Sequence, residues 1–170
     1  MLVKKEVIYL DVEQREFSER ALKHLFVGSQ LDGVKFGVGP GSILIRFLHY
    51  TPNQEPVDLW LSIGTKWTVF PTEIKDFPNS EDEMEDLTEE EEYNLVFKLR
   101  RNKVVDVKLG ETVPHLIMVF QSGLTMFVNG HHDMYECWQV GDGAVYGGEQ
   151  WLIVSTPGDG IAIWAPDDFQ

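Results

Sequence analysis

Between Gly130 and Trp138 the chain reads Gly-His-His-Asp-Met-Tyr-Glu-Cys-Trp, which gathers His, Asp, Glu and Cys within nine residues. His131, His132, Asp133, Glu136 and Cys137 are all of types that bind zinc or other transition metals. Their spacing argues against it. On a strand His131 and Asp133 share one face, while His132 points the other way with Met134 and Glu136. No C-x-x-C or H-x-x-x-H pattern supports a metal or any other cofactor. The expectation is a polar hairpin tip entering a strand, with His131, His132, Asp133 and Tyr135 as candidate contacts to a protein partner. A metal-dependent enzyme acting on a small molecule through this cluster is the competing reading.

Other chemistry is weaker still. A cysteine nucleophile needs an electropositive setting or a paired base. Cys137, with His115 or His132 as its candidate base, has no catalytic motif around it and reads as core beside Trp138. There is no Gly-x-Ser-x-Gly elbow. The glycine-rich runs 37–41 and 141–143 do not lead into the Lys-Ser/Thr pair of a phosphate loop, so they read as turns. No catalytic residue is assigned.

The second candidate is electrostatic. Residues 76–92, Asp-Phe-Pro-Asn-Ser-Glu-Asp-Glu-Met-Glu-Asp-Leu-Thr-Glu-Glu-Glu-Glu, hold ten of the chain's 28 acidic residues and no Lys or Arg. The net charge is −14. Outside this stretch 18 acids face 14 bases, so the body is only mildly acidic. Direct nucleic-acid binding is disfavoured, because phosphates demand Lys and Arg, and a basic protein is the natural complement. Ser80 followed by Glu83 fits a capping box. Four consecutive glutamates, Glu89 to Glu92, repel one another. The stretch therefore reads either as a solvated connector or as a docking surface built from Glu81, Asp82, Glu83, Glu85, Asp86, Glu89, Glu90, Glu91 and Glu92. It lacks the spacing of a calcium loop.

The elements that must position these residues follow from periodicity. Residues 2–12 read as a strand. Residues 13–27 place Phe17, Ala21, Leu22, Leu25 and Phe26 on one helical face, with Gly28 as the stop, and this helix is expected to cover a sheet face. Thereafter glycines and prolines punctuate short apolar runs. Strands are expected near 32–37, 42–49, 57–63, 66–70, 94–100, 103–109, 115–121, 124–129, 134–140, 150–156 and 161–165. The C-terminal segment from Trp151 to Phe169 is apolar on both faces and reads as a central hairpin, or as one whose second face meets a partner. Most of the five tryptophans should anchor the core. With 43% hydrophobic residues, 170 residues suffice for one domain with a real core. A single cysteine, no signal-peptide pattern and no apolar run long enough for a membrane span point to a cytoplasmic protein.

An internal repeat organises the chain. Val34–Phe47 aligns with Val107–Phe120 without gaps, DLWLSIG (58–64) resembles LTMFVNG (124–130), and Trp67 then corresponds to Trp138. The expected organisation is one domain over 1–170: a first β-repeat at 30–75, an acidic connector at 76–92, and a second β-repeat with a C-terminal hairpin at 93–170. The fold class is mainly β (α+β), with antiparallel sheets in two related halves, as a sandwich or partly open barrel, plus one N-terminal helix.

Over residues 30–165 the β-repeat, the segment PHLIMVFQSGLTMFVNGHHDMYECWQV and the ending WLIVSTPGDGIAIWAP resemble small acidic bacterial immunity proteins, the partners of polymorphic toxins. The resemblance implies a cytoplasmic, non-catalytic protein that binds and blocks one toxin, frequently a basic nuclease. It carries over no individual functional residue. A phage-type inhibitor of a host defence protein would share the same binding physics.

Overall fold

The computed structural model describes residues 10–37, 42–51 and 53–170. Helix α1 spans Val12–Phe26. Asp11 caps it, accepting from the Gln14 N–H at 2.9 Å, and Ala21, Leu22, Leu25 and Phe26 are fully buried. Strands β1 (Gln30–Phe36), β2 (Ile43–Leu48), β3 (Asp58–Ile63) and β4 (Trp67–Phe70) follow. A short 3-10 turn at Glu81–Glu83 precedes helix α2 (Glu89–Leu99). Then come β5 (Val104–Leu109), β6 (Leu116–Phe120), β7 (Thr125–Val128), β8 (Trp138–Asp142), β9 (Leu152–Thr156) and β10 (Gly160–Trp164).

All pairings are antiparallel. A six-stranded sheet has the order β1-β2-β3-β8-β9-β10, and a four-stranded sheet the order β4-β7-β6-β5. Inward residues of both sheets, among them Ile45, Phe47 and Leu61 with Val107, Met118 and Phe120, share one core cluster. Strand β2 buries every second residue, as period-2 patterning requires. Strands β6 and β7 are buried on both faces. Their outer face is covered in part by Phe77, whose ring stacks on Phe127 at 5.5 Å and 9°.

The two halves are related residue by residue. Val34 pairs with Ile45, and 73 positions later Val107 pairs with Met118. The same bulge interrupts both hairpins, between Leu31 and Gly33 and between Val104 and Asp106. The helices belong to the repeat as well. Ser29 N bonds Phe26 O after α1, and Asn102 N bonds Leu99 O after α2. The left-handed residues Gly28 (φ 92°) and Arg101 (φ 62°) are equivalent. Equivalent residues Gln30 and Lys103 bridge each other, so the local dyad passes between them. Each half then lends its fourth strand to the other sheet: Trp67 of β4 pairs with Val128, and Trp138 of β8 pairs with Ile63. This corrects the expected alignment of the third strand by one residue, since Ile63 matches Val128 rather than Asn129. Gly64 N to Cys137 O (2.9 Å) and Asn129 N to Lys66 O (3.1 Å) are the corresponding bonds.

Several expectations change. Residues 94–100, read as a strand, lie in and just after α2, so the described residues hold two α-helices and not one. Thr88 and Glu91 make the capping box there, and the repelling glutamates become the first turn, where the helix dipole favours acids. Ser80 makes no side-chain cap bond. The strand expected at 134–140 begins at Trp138. The β9–β10 hairpin is not central, because β10 is an edge strand. Helix α1 packs on β5 and β10 and does more than cover a face. Arg15 donates to Leu109 O and Gly110 O at 2.9 Å, Lys23 donates to Val107 O at 2.7 Å, and Gln14 donates to Ile161 O. These bonds occupy backbone acceptors that an edge strand would otherwise leave open. Of the strand expected over 2–12, residues 2–9 lie outside the described residues, and residues 10–12 are not strand, since Asp11 caps α1. Four of the five tryptophans are buried, and Trp164 is 58% exposed.

Candidate acidic docking face

The acidic segment is tied to the sheets at several points. Asn79 O accepts from His115 Nε2 at 3.2 Å. The Glu81 carboxylate accepts from the Thr65 hydroxyl and, at 3.1 Å, from Lys66 N. Burial pushes the Glu81 carboxyl up, but these donors together with the Lys66 charge bring it below the usual carboxylate value. Asp86 pairs with Lys66 Nζ at 2.6 Å, which lowers its carboxyl and raises the lysine. Glu83 accepts from Asn79 N at 2.7 Å. Glu91 closes the capping box with Thr88. Asp82, Glu85, Glu89 and Glu90 are exposed and carry no bond of this kind among the described residues. Glu92 is half-buried, and burial, helped by Glu89, pushes its carboxyl up.

The His131 loop lies against this segment. Asn129 Nδ2 donates both to Thr65 Oγ1 (2.8 Å) and to His131 O (2.9 Å). Thr65 therefore links Glu81 on one side to Asn129 and His131 on the other. His131 Nδ1 sits 2.6 Å from Asp159 Oδ1, and that bond raises the imidazole above its ordinary value. The His132 ring leans on Tyr135 at 4.3 Å, and its Nδ1 accepts from Met134 N and Tyr135 N. Asp133 is exposed, while Met134 and Tyr135 are 73% and 60% exposed.

Among the described residues the catalytic alternatives find no constellation. His131 faces Asp159, His132 Nδ1 faces backbone donors, and His115 Nδ1 accepts from Gly130 N at 2.9 Å. Burial holds His115 below its ordinary value, as suits this acceptor role. Cys137 is buried, and desolvation pushes its thiol up to about 11, far from a reactive thiolate. Among the described residues no three of His, Cys, Asp or Glu converge as a metal site, and no helix is long and apolar enough to cross a membrane.

Sequence reasoning named both acidic segment and His131 loop, and the structure joins them at Glu81. It missed the connecting residues Thr65, Lys66, Asn129 and Asp159. The repeat held the usable signal for Lys66 and Asn129, since both sit at the equivalent strand crossings; Asp159 looked like an ordinary turn residue.

Fold and face together define an acidic α+β protein of two related antiparallel halves. Comparison with protein families, curated proteins and solved structures finds no match for this chain.

Proposed function

We propose that this is a non-catalytic binding protein, an immunity-type inhibitor that occludes a basic protein partner such as a toxin. One observation carries the reading. Glu81 and the His131 loop are joined through Thr65 and Asn129, which brings the acidic segment against the loop that carries the exposed Met134 and Tyr135. Such a surface combines the two parts of a strong interface. An excess of negative charge accelerates encounter with a cationic partner, and apolar side chains hold the complex once water is expelled. Asp82, Glu85, Glu89 and Glu90, free of structural bonds among the described residues, steer; Met134 and Tyr135 anchor.

The test begins with capture of the partner from native cells and its identification by mass spectrometry. Association kinetics are then compared for the wild type and the quadruple variant D82N/E85Q/E89Q/E90Q. The variant should associate about tenfold more slowly at low salt, and its rate should depend less steeply on ionic strength. Equal rates at low salt remove the steering role. A captured partner with no net basic character removes the reading as a whole.

A further inference from the structure

The two halves close their outer strands differently. In β5 the backbone N–H and C=O groups of Val107 and Leu109 point away from β6, and each is taken. Lys23 Nζ donates to Val107 O at 2.7 Å and Arg15 to Leu109 O at 2.9 Å. The Glu19 carboxylate accepts from Leu109 N and the Asp106 carboxylate from Val107 N, both at 2.9 Å. Such cover blunts an edge strand. Strand β1 repeats the backbone geometry 73 positions earlier. Gly37 N bonds Ser42 O at 3.2 Å as Gly110 N bonds His115 O at 3.0 Å, so Val34 and Phe36 present their backbone groups outward as Val107 and Leu109 do. The closing side chains do not recur. Val96 stands for Lys23, Thr88 for Arg15 and Gly33 for Asp106. Thr88 Oγ1 is engaged by Glu91 N at the cap of α2. Glu92 stands for Glu19, and among the described residues it makes no bond to Phe36 N.

With Val96 where a lysine bridges helix to strand in the other half, a cleft of about 140 Å³ lies between β1 and α2. Val34, Tyr93, Val96 and Phe97 give it apolar walls, and Arg100 and Asp32 are its charged members. Val34 is 43%, Phe97 63% and the neighbouring Phe36 72% exposed. Asp32 accepts from the Tyr50 hydroxyl at 2.6 Å. The segment 98–103, Lys-Leu-Arg-Arg-Asn-Lys, holds four of the chain's 14 Lys and Arg. It adjoins the same edge, because Arg101 N bonds Leu31 O at 2.9 Å and Leu31 N bonds Asn102 O at 3.3 Å. Lys98, Arg100, Arg101 and Lys103 are exposed and form no salt bridge among the described residues. An outward-facing backbone, a cleft for one apolar side chain and a basic end thus lie in a row.

We propose that β1 is a docking edge for an extended segment of a protein partner, in which apolar residues are followed by acidic ones. The segment adds antiparallel beside Val34 and Phe36, and one apolar side chain enters the cleft. Its C-terminal end then comes to Arg100 and Arg101, because residues 101–104 already run antiparallel to the start of β1. Charge complementarity selects the occupant. Carboxylates at that end meet exposed cations that no acid of the described residues compensates. A second copy of β1 would bring Lys35 and one acid, Asp32, which Tyr50 already holds. Residues 2–9 would bring Lys4 and Lys5 against a single Glu6. The surface is opposite in charge to the acidic docking face and independent of it.

The test titrates the 15N-labelled full chain with the blocked peptide acetyl-Thr-Ile-Thr-Val-Asp-Asp-amide. Shifts should gather at residues 32–36 and 96–101, with a dissociation constant of about 0.1 mM. The Val34 and Phe36 amides, quick to exchange in the free chain, should become protected. Replacing both aspartates of the peptide by lysines should weaken binding about fivefold or more. One of the two alternately N-methylated forms of the peptide should lose binding, as strand pairing requires. The double variant G33D/V96K installs residues that close β5 and should no longer bind. The exposed pair R100E/R101E leaves the cleft walls intact and should reverse the preference for aspartate over lysine. Equal binding of the aspartate and lysine peptides overturns the inference, and so does an unchanged preference in R100E/R101E. Val34 and Phe36 amides as protected in the free monomer as those of Val107 and Leu109 would mean that the chain covers β1 itself. Protection that rises with protein concentration would mean that a second copy takes the edge. Either result also overturns it.

Discussion

Trp67 and Trp138 occupy equivalent places in the two halves, yet among the described residues only Trp138 has an acceptor for its indole N–H. Replacing each by Phe removes a similar volume but different bonds. W138F should cost about 1 kcal/mol more than W67F, because it abandons the buried Pro114 carbonyl. Urea denaturation of the two variants reads the difference. Equal losses would mean that the Trp67 donor is satisfied in solution.

The left-handed pair Gly28 and Arg101 makes a second contrast. Arginine at φ 62° is strained where glycine at φ 92° is not. Arg101→Gly should be neutral or stabilise by up to about 1 kcal/mol, while Gly28→Ala should destabilise by about that amount. No atom crowds a Cβ at Gly28, the nearest being His49 ring atoms at 3.9 Å, so the cost there is backbone strain and not a clash. Thermal unfolding of both variants checks the opposite signs.

His131 is held above its ordinary 6.5 by Asp159. A raised histidine contributes stability below about pH 6.5 and loses it as pH rises through the folded value. D159N should return the His131 titration toward 6.5 in NMR. The stability gap between wild type and D159N should narrow as pH rises from 6 to 8. A His131 midpoint that D159N leaves unmoved would contradict the pairing.

His115 has the opposite sign. Burial lowers it, so its contribution is complete above about pH 6.5 and declines as pH falls from there toward the folded value. Protonation also takes the Nδ1 acceptor away from Gly130 N. His115→Gln should flatten the acid limb of the stability–pH curve measured by urea denaturation. An unchanged slope below pH 6.5 would remove His115 as its source.

Thr65→Val should loosen the join between Glu81 and Asn129 while keeping the side-chain volume. The expected cost is about 1–2 kcal/mol, since two polar partners lose a bond. Amide exchange should rise in residues 77–87 and 129–133 and stay unchanged in β2 and β3.

Much of the architecture was legible because it depends on local patterning. Ala21, Leu22, Leu25 and Phe26 repeat with helical period, and the β2 run alternates cleanly, so α1 and most strands fell within a residue or two of their observed limits. Helix α2 was misread for an equally local reason. Asn94 to Arg100 carries the apolar residues Leu95, Val96, Phe97 and Leu99 in a run short enough to suit a strand. The capping box that starts it lies at Thr88 and Glu91, eight residues beyond the similar Ser80–Glu83 pattern, which makes no cap bond. The repeat would have corrected this, because α2 stands where α1 stands in the first half.

By itself the sequence determined the charge imbalance, the antiparallel strands, the first helix and the relation between halves, since each is set by residue types a few positions apart. Tertiary structure alone decided that each half exchanges its fourth strand, that Phe77 covers Phe127, and that Glu81 meets Asn129 through Thr65. Among the described residues it also left Trp67 without the acceptor that Trp138 has. These contacts join positions tens of residues apart, and they exist only once two buried faces have packed together and every polar group between them has taken or failed to find a partner.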